Sequence, residues 1–144
     1  MKRYHHTQPA PPALMLLVLL ILGVLAAATF AASQSLAGLL VACVIVVTMY
    51  YCFRSLTVEV SDEELSWYFG SGFWRKRILL SEVARVESVR IPWCMGSGIH
   101  YFGNWFYCIV PGEGIKVYRK DGRVVIIGTD DRPGLVATLN VRHG

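Results

Sequence analysis

Two adjacent carboxylates, Asp130 and Asp131, follow an apolar segment that ends at Gly128, and their spacing suits either metal binding or helix capping. A metal ion needs further ligands, and no His or Cys lies near this pair in the sequence. Carboxylates and hydroxyls that precede a helix accept hydrogen bonds from the free N–H groups of its first turn and complement its dipole. We therefore predict that Thr129, Asp130 and Asp131 cap a helix with Pro133 in its first turn.

A glycine-rich stretch, "GSGIHYFGNW" (Gly96–Trp105), has the composition of a phosphate-binding loop. Such a loop needs a following helix that aims its N–H groups at the anion, whereas the residues that follow here are aromatic and strand-like. A tight turn or bulge that positions aromatic side chains is the better interpretation. Because large aromatic residues make good interface anchors, we expect partner contacts from Trp93, Tyr101, Phe102 and Trp105.

A basic run, "WRKR", comprises Trp74, Arg75, Lys76 and Arg77 and is a candidate contact for anionic lipid heads. Each Lys or Arg near an anionic surface contributes about 1 kcal/mol to binding. The alternative is a charged strand face in contact with water. From Arg54 onward, twelve basic and ten acidic residues leave a net charge of only +2, which does not indicate a nucleic-acid-binding domain.

The cysteines and histidines form no pattern of metal ligands or catalytic groups. Cys43 and Cys52 fall in an apolar segment, and residues 5–6, both His, fall in what reads as a mobile tail. Cys94 and Cys108 are isolated in sequence. We expect them to be reduced in a cytoplasmic domain, although they can pair if the domain faces the other side of the membrane. No nucleophile with a neighbouring base is present, so the sequence predicts no enzyme activity, metal or other cofactor.

The elements that must position these residues fall into two parts, an uncharged N-terminal third and a polar C-terminal domain. Hydrophobic residues make up 54% of the chain and charged residues only 17%, against roughly 25% charged in ordinary soluble domains. No charged residue lies between Arg3 and Arg54, and this region holds two apolar segments, Ala13–Ala32 and Leu36–Phe53. At about 1.5 Å rise per residue, each segment can cross a hydrocarbon core of about 30 Å.

The two segments and the short linker "SQS" predict a transmembrane helical hairpin over residues 13–53, with basic residues beyond both outer ends and none in the linker. The positive-inside rule then places the N-terminal tail, residues 1–12, and the C-terminal domain in the cytoplasm, so we expect a two-span protein of the cell membrane. A cleaved signal peptide is a poorer interpretation because a second span follows at once. A chain of this size is also too small to cover two such helices in a soluble core.

From Arg54 onward the hydrophobic pattern changes to the two-residue period of β-strands. Strands are predicted at Ser55–Val60, Leu65–Gly70, Phe73–Leu80 and Arg85–Ile91, in "IHYFG" and "WFYCIV", and on both sides of the turn signal Asp121–Gly122. Leu135, Val136 and Leu139 have helical spacing and predict a short C-terminal helix. We therefore expect residues 54–144 to form a small antiparallel sheet of six or seven strands, curled on itself and covered at one end by that helix.

Three motifs occur in this order between Arg54 and Asn140: "SEVARVESVR" (Ser81–Arg90), "GSGI" (Gly96–Ile99) and "GIKVYRKDGRVVIIGTDD" (Gly114–Asp131). Together they resemble bacterial pleckstrin-homology-like (PH-like) domains, which often follow transmembrane helices and whose functions are poorly understood. The resemblance implies an antiparallel β-barrel of about seven strands capped by a C-terminal helix. The expected fold class is therefore a membrane α hairpin joined to a soluble, mainly β domain; a fold does not by itself imply an activity.

These features predict a membrane-anchored interaction module that docks a protein partner or an anionic lipid at the cytoplasmic face, without catalysis. The alternative is a small accessory subunit of a larger membrane complex, bound through its helices, where Gly23 and Gly38 permit close packing. An enzyme acting on lipid would need a polar cluster that the sequence does not contain. The expected partners are the lipid bilayer and a protein, with no nucleic acid, and the oligomeric state is left open.

Overall fold

The computed structural model of this protein describes residues 2–140, so Met1 and residues 141–144, the outer ends of the predicted tail and domain, lie outside the described residues. Two long apolar helices, two β-sheets and a short C-terminal helix make up the fold. In chain order the elements are β1 (Lys2–Pro9), α1 (Pro12–Ser33), α2 (Leu36–Phe53), β2 (Ser55–Ser61), β3 (Glu64–Phe69), β4 (Phe73–Leu79), β5 (Val83–Ile91), β6 (Gly98–Tyr101), β7 (Trp105–Cys108), β8 (Gly112–Arg119), β9 (Val124–Gly128) and α3 (Arg132–Asn140).

The two predicted apolar segments form α1 and α2, which pack against each other. Residues Pro12–Ala32 and Leu36–Phe53 are long and apolar enough to cross a membrane. The hydroxyls of Thr29 and Thr48 are hydrogen-bonded within the helices, since each donates to a backbone carbonyl one turn earlier in its own helix. This arrangement suits an apolar environment, where an unpaired hydroxyl is costly.

The linker between the helices is only two residues long and stops one helix while starting the next. Gln34 adopts a left-handed conformation (φ +52°), and its N–H donates to the carbonyl of Phe30 at 2.7 Å, which ends α1. Ser35 then caps α2, because its Oγ accepts from the N–H of Gly38 at 3.3 Å. The chain therefore reverses direction within one tight turn.

The N-terminal segment is a β-strand, and the prediction of a mobile tail is wrong. β1 pairs antiparallel with β2, from Pro9 opposite Ser55 to Lys2 opposite Ser61. The partner of β1 comes after the whole hairpin, so no local pattern in the polar segment "KRYHHTQP" reveals the pairing. The helical hairpin is consequently inserted between two adjacent strands of one sheet, and the chain enters and leaves it on the same side.

Nine strands among the described residues form two sheets, and neither sheet closes. One sheet has the order β1-β2-β3-β4 and the other the order β5-β8-β9-β7-β6. The predicted seven-stranded antiparallel barrel is therefore not confirmed. The number of strands differs because β1 adds one. The pairing differs because β7 pairs parallel with β9, and the sheet is divided in two because a 3₁₀ turn at Leu80–Glu82 separates β4 from β5. The predicted strand segments themselves agree with β2 to β9.

Side chains from both sheets and from α3 form one hydrophobic core. The central members from the first sheet are Leu56, Val58, Val60, Leu65, Trp67 and Phe69, and those from the second are Tyr107, Ile109, Ile115, Val117 and Ile127. The predicted C-terminal helix is confirmed: α3 packs against β1, β5 and β8, and buries Leu135 and Leu139. β1 and β5 are edge strands of the two sheets, and α3 covers the side of the domain where they lie. The other edge strand of the first sheet, β4, has no such cover.

Candidate functional site: a basic groove beside strand β4

A groove of about 600 Å³ lies between β4 and the second sheet, and we call it the β4 groove. The β3–β4 side contributes Trp67, Trp74, Lys76 and Arg77; the β6–β7 side contributes Tyr101, Asn104, Trp105 and Tyr107; and the β8–β9 hairpin contributes Arg119, Gly122 and Arg123. Three separate parts of the chain therefore meet here. The groove brings together five of the residues predicted as partner contacts: Trp74, Lys76, Arg77, Tyr101 and Trp105.

Trp67 places an unpaired hydrogen-bond donor in the wall of the β4 groove. Its side chain is only 2% exposed, and its ring meets that of Tyr107 edge-on, with centroids 5.2 Å apart. The indole Nε1 is buried and has no hydrogen-bond partner among the described residues. A buried donor without an acceptor costs about 1–3 kcal/mol. A ligand that brought an acceptor to Nε1 would remove this cost.

Arg119 supplies a second unpaired donor in the same groove. Its Nη2 donates to Glu82 Oε2 at 2.8 Å and lies 3.3 Å from Asp121 Oδ2, which fixes the guanidinium in place. Its Nε is buried and, within residues 2–140, has no hydrogen-bond partner. Trp67 and Arg119 therefore line one groove, and each has a buried N–H without an acceptor among the described residues.

The cations of the β4 groove are only partly neutralised. Arg123 is 3.5 Å from Asp121, and Arg77 is 4.0 Å from Glu64, with 76% and 78% of the two arginine side chains exposed. Lys76 forms no ion pair among the described residues, and its Nζ lies over the ring of Trp74, 5.9 Å from the centroid. Exposed pairs of this kind contribute little to stability, so these charges remain able to attract an anion.

Arg75, also predicted as a contact, points away from the β4 groove. Its Nη2 donates to Glu59 Oε2 at 2.8 Å, and its guanidinium lies 4.6 Å from the centroid of the Tyr68 ring. Glu59 is almost fully buried, so Arg75 holds a carboxylate inside the first sheet. The alternation of a strand accounts for this, because successive side chains point to opposite faces.

Two predicted aromatic contacts, Trp93 and Phe102, also lie outside the β4 groove. Trp93 is 87% exposed in a 3₁₀ turn after β5, beside Arg90 and Pro92. Phe102 is exposed at the β6–β7 turn, and its ring meets that of Phe106 edge-on. The predicted aromatic set is therefore divided among three places.

Trp67, Arg119 and Arg123 are among the residues that line the β4 groove but were not predicted. Arg123 follows the Asp–Gly turn signal, so its position on a hairpin was readable, but the direction of that hairpin was not. Trp67 and Arg119 lie in strands of different sheets, and only the packing of the two sheets brings both residues to one groove. No short-range pattern in the sequence signals that meeting.

The aspartate pair serves the fold. Asp131 Oδ1 accepts from the N–H of Gly134 at 3.1 Å, which is the geometry of a helix N-cap for α3, and its Oδ2 accepts from the Tyr4 hydroxyl at 2.9 Å. Asp130 instead meets His6, with 2.5 Å between Oδ1 and Nε2. The hydroxyl of Thr129 accepts from the N–H of Asp131 at 3.1 Å. Both carboxylates thus join α3 to β1, and within residues 2–140 no group of three or more His, Cys, Asp or Glu side chains is placed to hold a metal.

The glycine-rich stretch forms a turn and a short hairpin. Gly96, Gly98 and Gly103 have positive φ values, and residues 98–101 and 105–108 pair as β6 and β7. A strand follows each glycine, so the N–H groups of a helix N-terminus are not presented to a phosphate here. The stretch instead aims Tyr101 and Trp105 toward the β4 groove.

The β4 groove begins close to the end of the second helix. Phe53, the last residue of α2, lies 6.1 Å from Phe73, the first residue of β4, and 5.3 Å from Phe69, between ring centroids. β4 then runs away from the helices through Trp74 and Lys76. Comparison of the chain with protein-family models, with curated proteins and with solved structures finds no match.

Proposed function

We propose that this protein is a membrane-anchored interaction module. Two membrane-spanning helices hold a PH-like β domain at the cytoplasmic face, and the β4 groove docks an acidic group of a protein partner or of an anionic lipid, without catalysis. The observation that carries the proposal is a groove lined by four cationic side chains and, among the described residues, by no Asp or Glu.

The charge and hydrogen-bonding capacity of the β4 groove support an anionic ligand. No Asp or Glu is among the described residues that line it, whereas Lys76, Arg77, Arg119 and Arg123 do. Hydrogen bonds to a charged acceptor are shorter and roughly twice as strong as neutral ones. A carboxylate or phosphate therefore gains charge attraction and charge-assisted hydrogen bonds from these side chains.

The position of the groove supports docking at a membrane surface. Phe73 and Trp74 are partly exposed next to the end of α2, where aromatic side chains suit the interface between lipid and water. A ligand bound along β4 is then held near the lipid head groups. The inserted hairpin fixes this height, since both of its ends join the sheet that contains β4.

The indole N–H signal of Trp67 tests the proposal directly. The full chain is placed in nanodiscs of zwitterionic lipid, and its ¹H–¹⁵N indole signals are recorded during titration with a glutamate-rich peptide or after transfer to anionic nanodiscs. We expect the signal that disappears in the Trp67→Phe variant to shift on binding. A Trp67 signal that stays fixed in both titrations would contradict an anion-binding groove.

Charge reversal provides the matched control. The double variant Lys76→Glu, Arg123→Glu should bind the acidic ligand at least about tenfold more weakly, a loss of about 1.4 kcal/mol. The variant Arg90→Glu, Lys120→Glu makes the same change in net charge at exposed residues outside the β4 groove and should bind as the parent does. Equal losses in both variants would mean that only overall charge matters.

The accessory-subunit alternative has one observation in its favour. A side chain at Gly23 would meet nothing within 4 Å, so this face of α1 is open to a neighbouring helix. If helix packing carries the function, Gly23→Leu should dissociate the protein from its complex while leaving the β4 groove able to bind an acidic peptide. Docking through the groove instead predicts that Gly23→Leu leaves the complex intact and that loss of acidic-peptide binding dissociates it.

A further inference from the structure

β4 has a free backbone edge. In the first sheet it pairs with β3 on one side only, and its other edge forms no backbone hydrogen bond within the described part of the chain. The five residues Phe73–Arg77 are all exposed. An exposed strand edge is a ready template for pairing with another chain, and proteins usually cover or shorten such edges.

The free edge of β4 opens into a groove with a facing wall. Across from it lie Tyr101 and Trp105, whose ring centroids are 5.1 Å apart and which are 62% and 46% exposed. Arg123 lies on the β8–β9 hairpin at the same groove. A strand added beside β4 would therefore contact backbone on one side and aromatic and cationic side chains on the other.

Charge selects the kind of segment that fits. A segment with acidic residues at alternate positions would direct all of them to one face, because side chains alternate along a strand. Carboxylates on that face can meet Lys76 and Arg123, which both line the groove. A basic segment would be repelled by the same two cations.

A second copy of this chain is a poor occupant. Pairing β4 with β4 of another copy would bring the basic run Arg75–Arg77 close to itself. Like charges on directly opposed strand residues are destabilising. The same basic residues that prevent self-pairing favour an acidic strand.

We propose that the β4 groove receives an extended acidic segment of a partner protein, which adds to the first sheet as a fifth strand beside β4. This inference rests on the proposed docking function and specifies its ligand and its binding mode. The backbone ladder of β4 supplies affinity, and the groove cations supply the preference for acidic side chains.

Backbone methylation of the ligand separates strand addition from simple charge attraction. The probe is a peptide as long as β4 in which Glu alternates with Val, and the control is the same peptide N-methylated at alternate residues, which keeps its charge but cannot complete a ladder. Binding to the full chain in zwitterionic nanodiscs is measured by fluorescence anisotropy. We expect the methylated peptide to bind at least about tenfold more weakly, since it loses several backbone hydrogen bonds to β4.

Amide hydrogen exchange gives a second readout on the protein itself. The unmethylated peptide should slow exchange of the amides on the free edge of β4, within Trp74–Arg77, at least about tenfold. Equal binding by both peptides, or unchanged exchange in β4, would overturn strand addition. If strand addition is overturned but anionic lipid or the acidic peptide still shifts the Trp67 indole signal, the docking function stands without the fifth strand. If neither of them shifts that signal, both proposals fail.

Discussion

Pro9 and Ser55 are cross-strand partners in β1 and β2, although the entire helical hairpin lies between them in the sequence. The pairing continues to the root of the hairpin, where the N–H of Ala10 donates to the carbonyl of Arg54 at 2.8 Å. Two adjacent, hydrogen-bonded strands thus lead directly into the two helices. The domain is tied to the helices through both chain connections, which restricts how the β4 groove can turn relative to them.

Removing residues 2–9 should unfold the first sheet, in contrast to the effect of removing a mobile tail. The deletion leaves the edge of β2 unpaired and uncovers Leu56, Val58 and Val60, which are almost fully buried in the intact protein. Core residues that lose cover cost several kcal/mol, and an open apolar edge promotes aggregation. Limited proteolysis and size-exclusion chromatography in detergent should show rapid cleavage and aggregation.

The control for this deletion keeps β1 in place. His5 is half-exposed, and its Nε2 lies 3.4 Å from Glu59 Oε1, so His5→Ala should leave the domain resistant to protease. If the chain without residues 2–9 is as resistant and as monomeric as the parent, the pairing of β1 with β2 does not hold the sheet together.

Asp131→Ala should be clearly destabilising, and Asp130→Ala should be nearly neutral. Asp131 caps α3 through the N–H of Gly134 and also accepts from the Tyr4 hydroxyl, whereas Asp130 is half-exposed and pairs with His6. Loss of an N-cap costs about 0.5–2 kcal/mol, and loss of the partly buried bond from the Tyr4 hydroxyl adds to this. Chemical unfolding followed by tryptophan fluorescence measures the difference, and equal effects of the two substitutions would contradict the assignment of the cap to Asp131.

Local signals in the sequence were sufficient for most secondary structure. The period-two pattern predicts β2 and β3, and the turn signal Asp121–Gly122 predicts the β8–β9 hairpin, because these elements depend on neighbours close in sequence. The two helices follow from uncharged segments of sufficient length. The capping role was also readable, since Asp131 and Gly134 are only three residues apart.

Features that depend on distant partners were not readable in the same way. β1 is polar along most of its length and becomes a strand only because β2 lies beside it. The β4 groove depends on how two sheets pack, so the run Trp74–Arg77 predicted a basic surface but did not show that Arg75 points away from the groove toward Glu59. Trp67 and Arg119 looked like ordinary strand residues, because an unpaired N–H is a property of the surroundings rather than of the residue.

Gly70→Ala should loosen the contact between the domain and the end of α2. Gly70 has a φ of +55°, and a Cβ there would lie 2.3 Å from the carbonyl oxygen of Tyr51 and 3.0 Å from that of Cys52. We expect the left-handed conformation alone to lower the free energy of unfolding by about 1–2 kcal/mol, and the overlap with backbone atoms to lower it further. Gly103→Ala is the control, since it has a φ of +75° but open space around it. Thermal unfolding that shows the same loss for both variants would mean that the approach of Gly70 to α2 is unimportant.

The two cysteines of the β domain can report which side of the membrane the domain occupies. Cys94 is exposed and Cys108 is buried, and burial raises the pKa of the Cys108 thiol to about 11. At about pH 8 the thiolate of Cys108 is therefore scarce and the side chain is buried, whereas the exposed side chain of Cys94 is accessible to a reagent. In a chain with Cys43→Ser and Cys52→Ser, a membrane-impermeant maleimide should label Cys94 in inside-out membrane vesicles and not in right-side-out vesicles.

The Cys94→Ser variant provides the background for this experiment. Its remaining thiol, Cys108, should react only slowly at about pH 8, and faster as the pH rises toward 11, because the higher pH increases the thiolate fraction. Labelling of Cys94 from the outside would place the domain, and with it the β4 groove, on the opposite side of the membrane from the one proposed. A Cys108 that reacts as fast as Cys94 at about pH 8 would contradict its burial against Ile91, Phe106 and Ile126 of the second sheet.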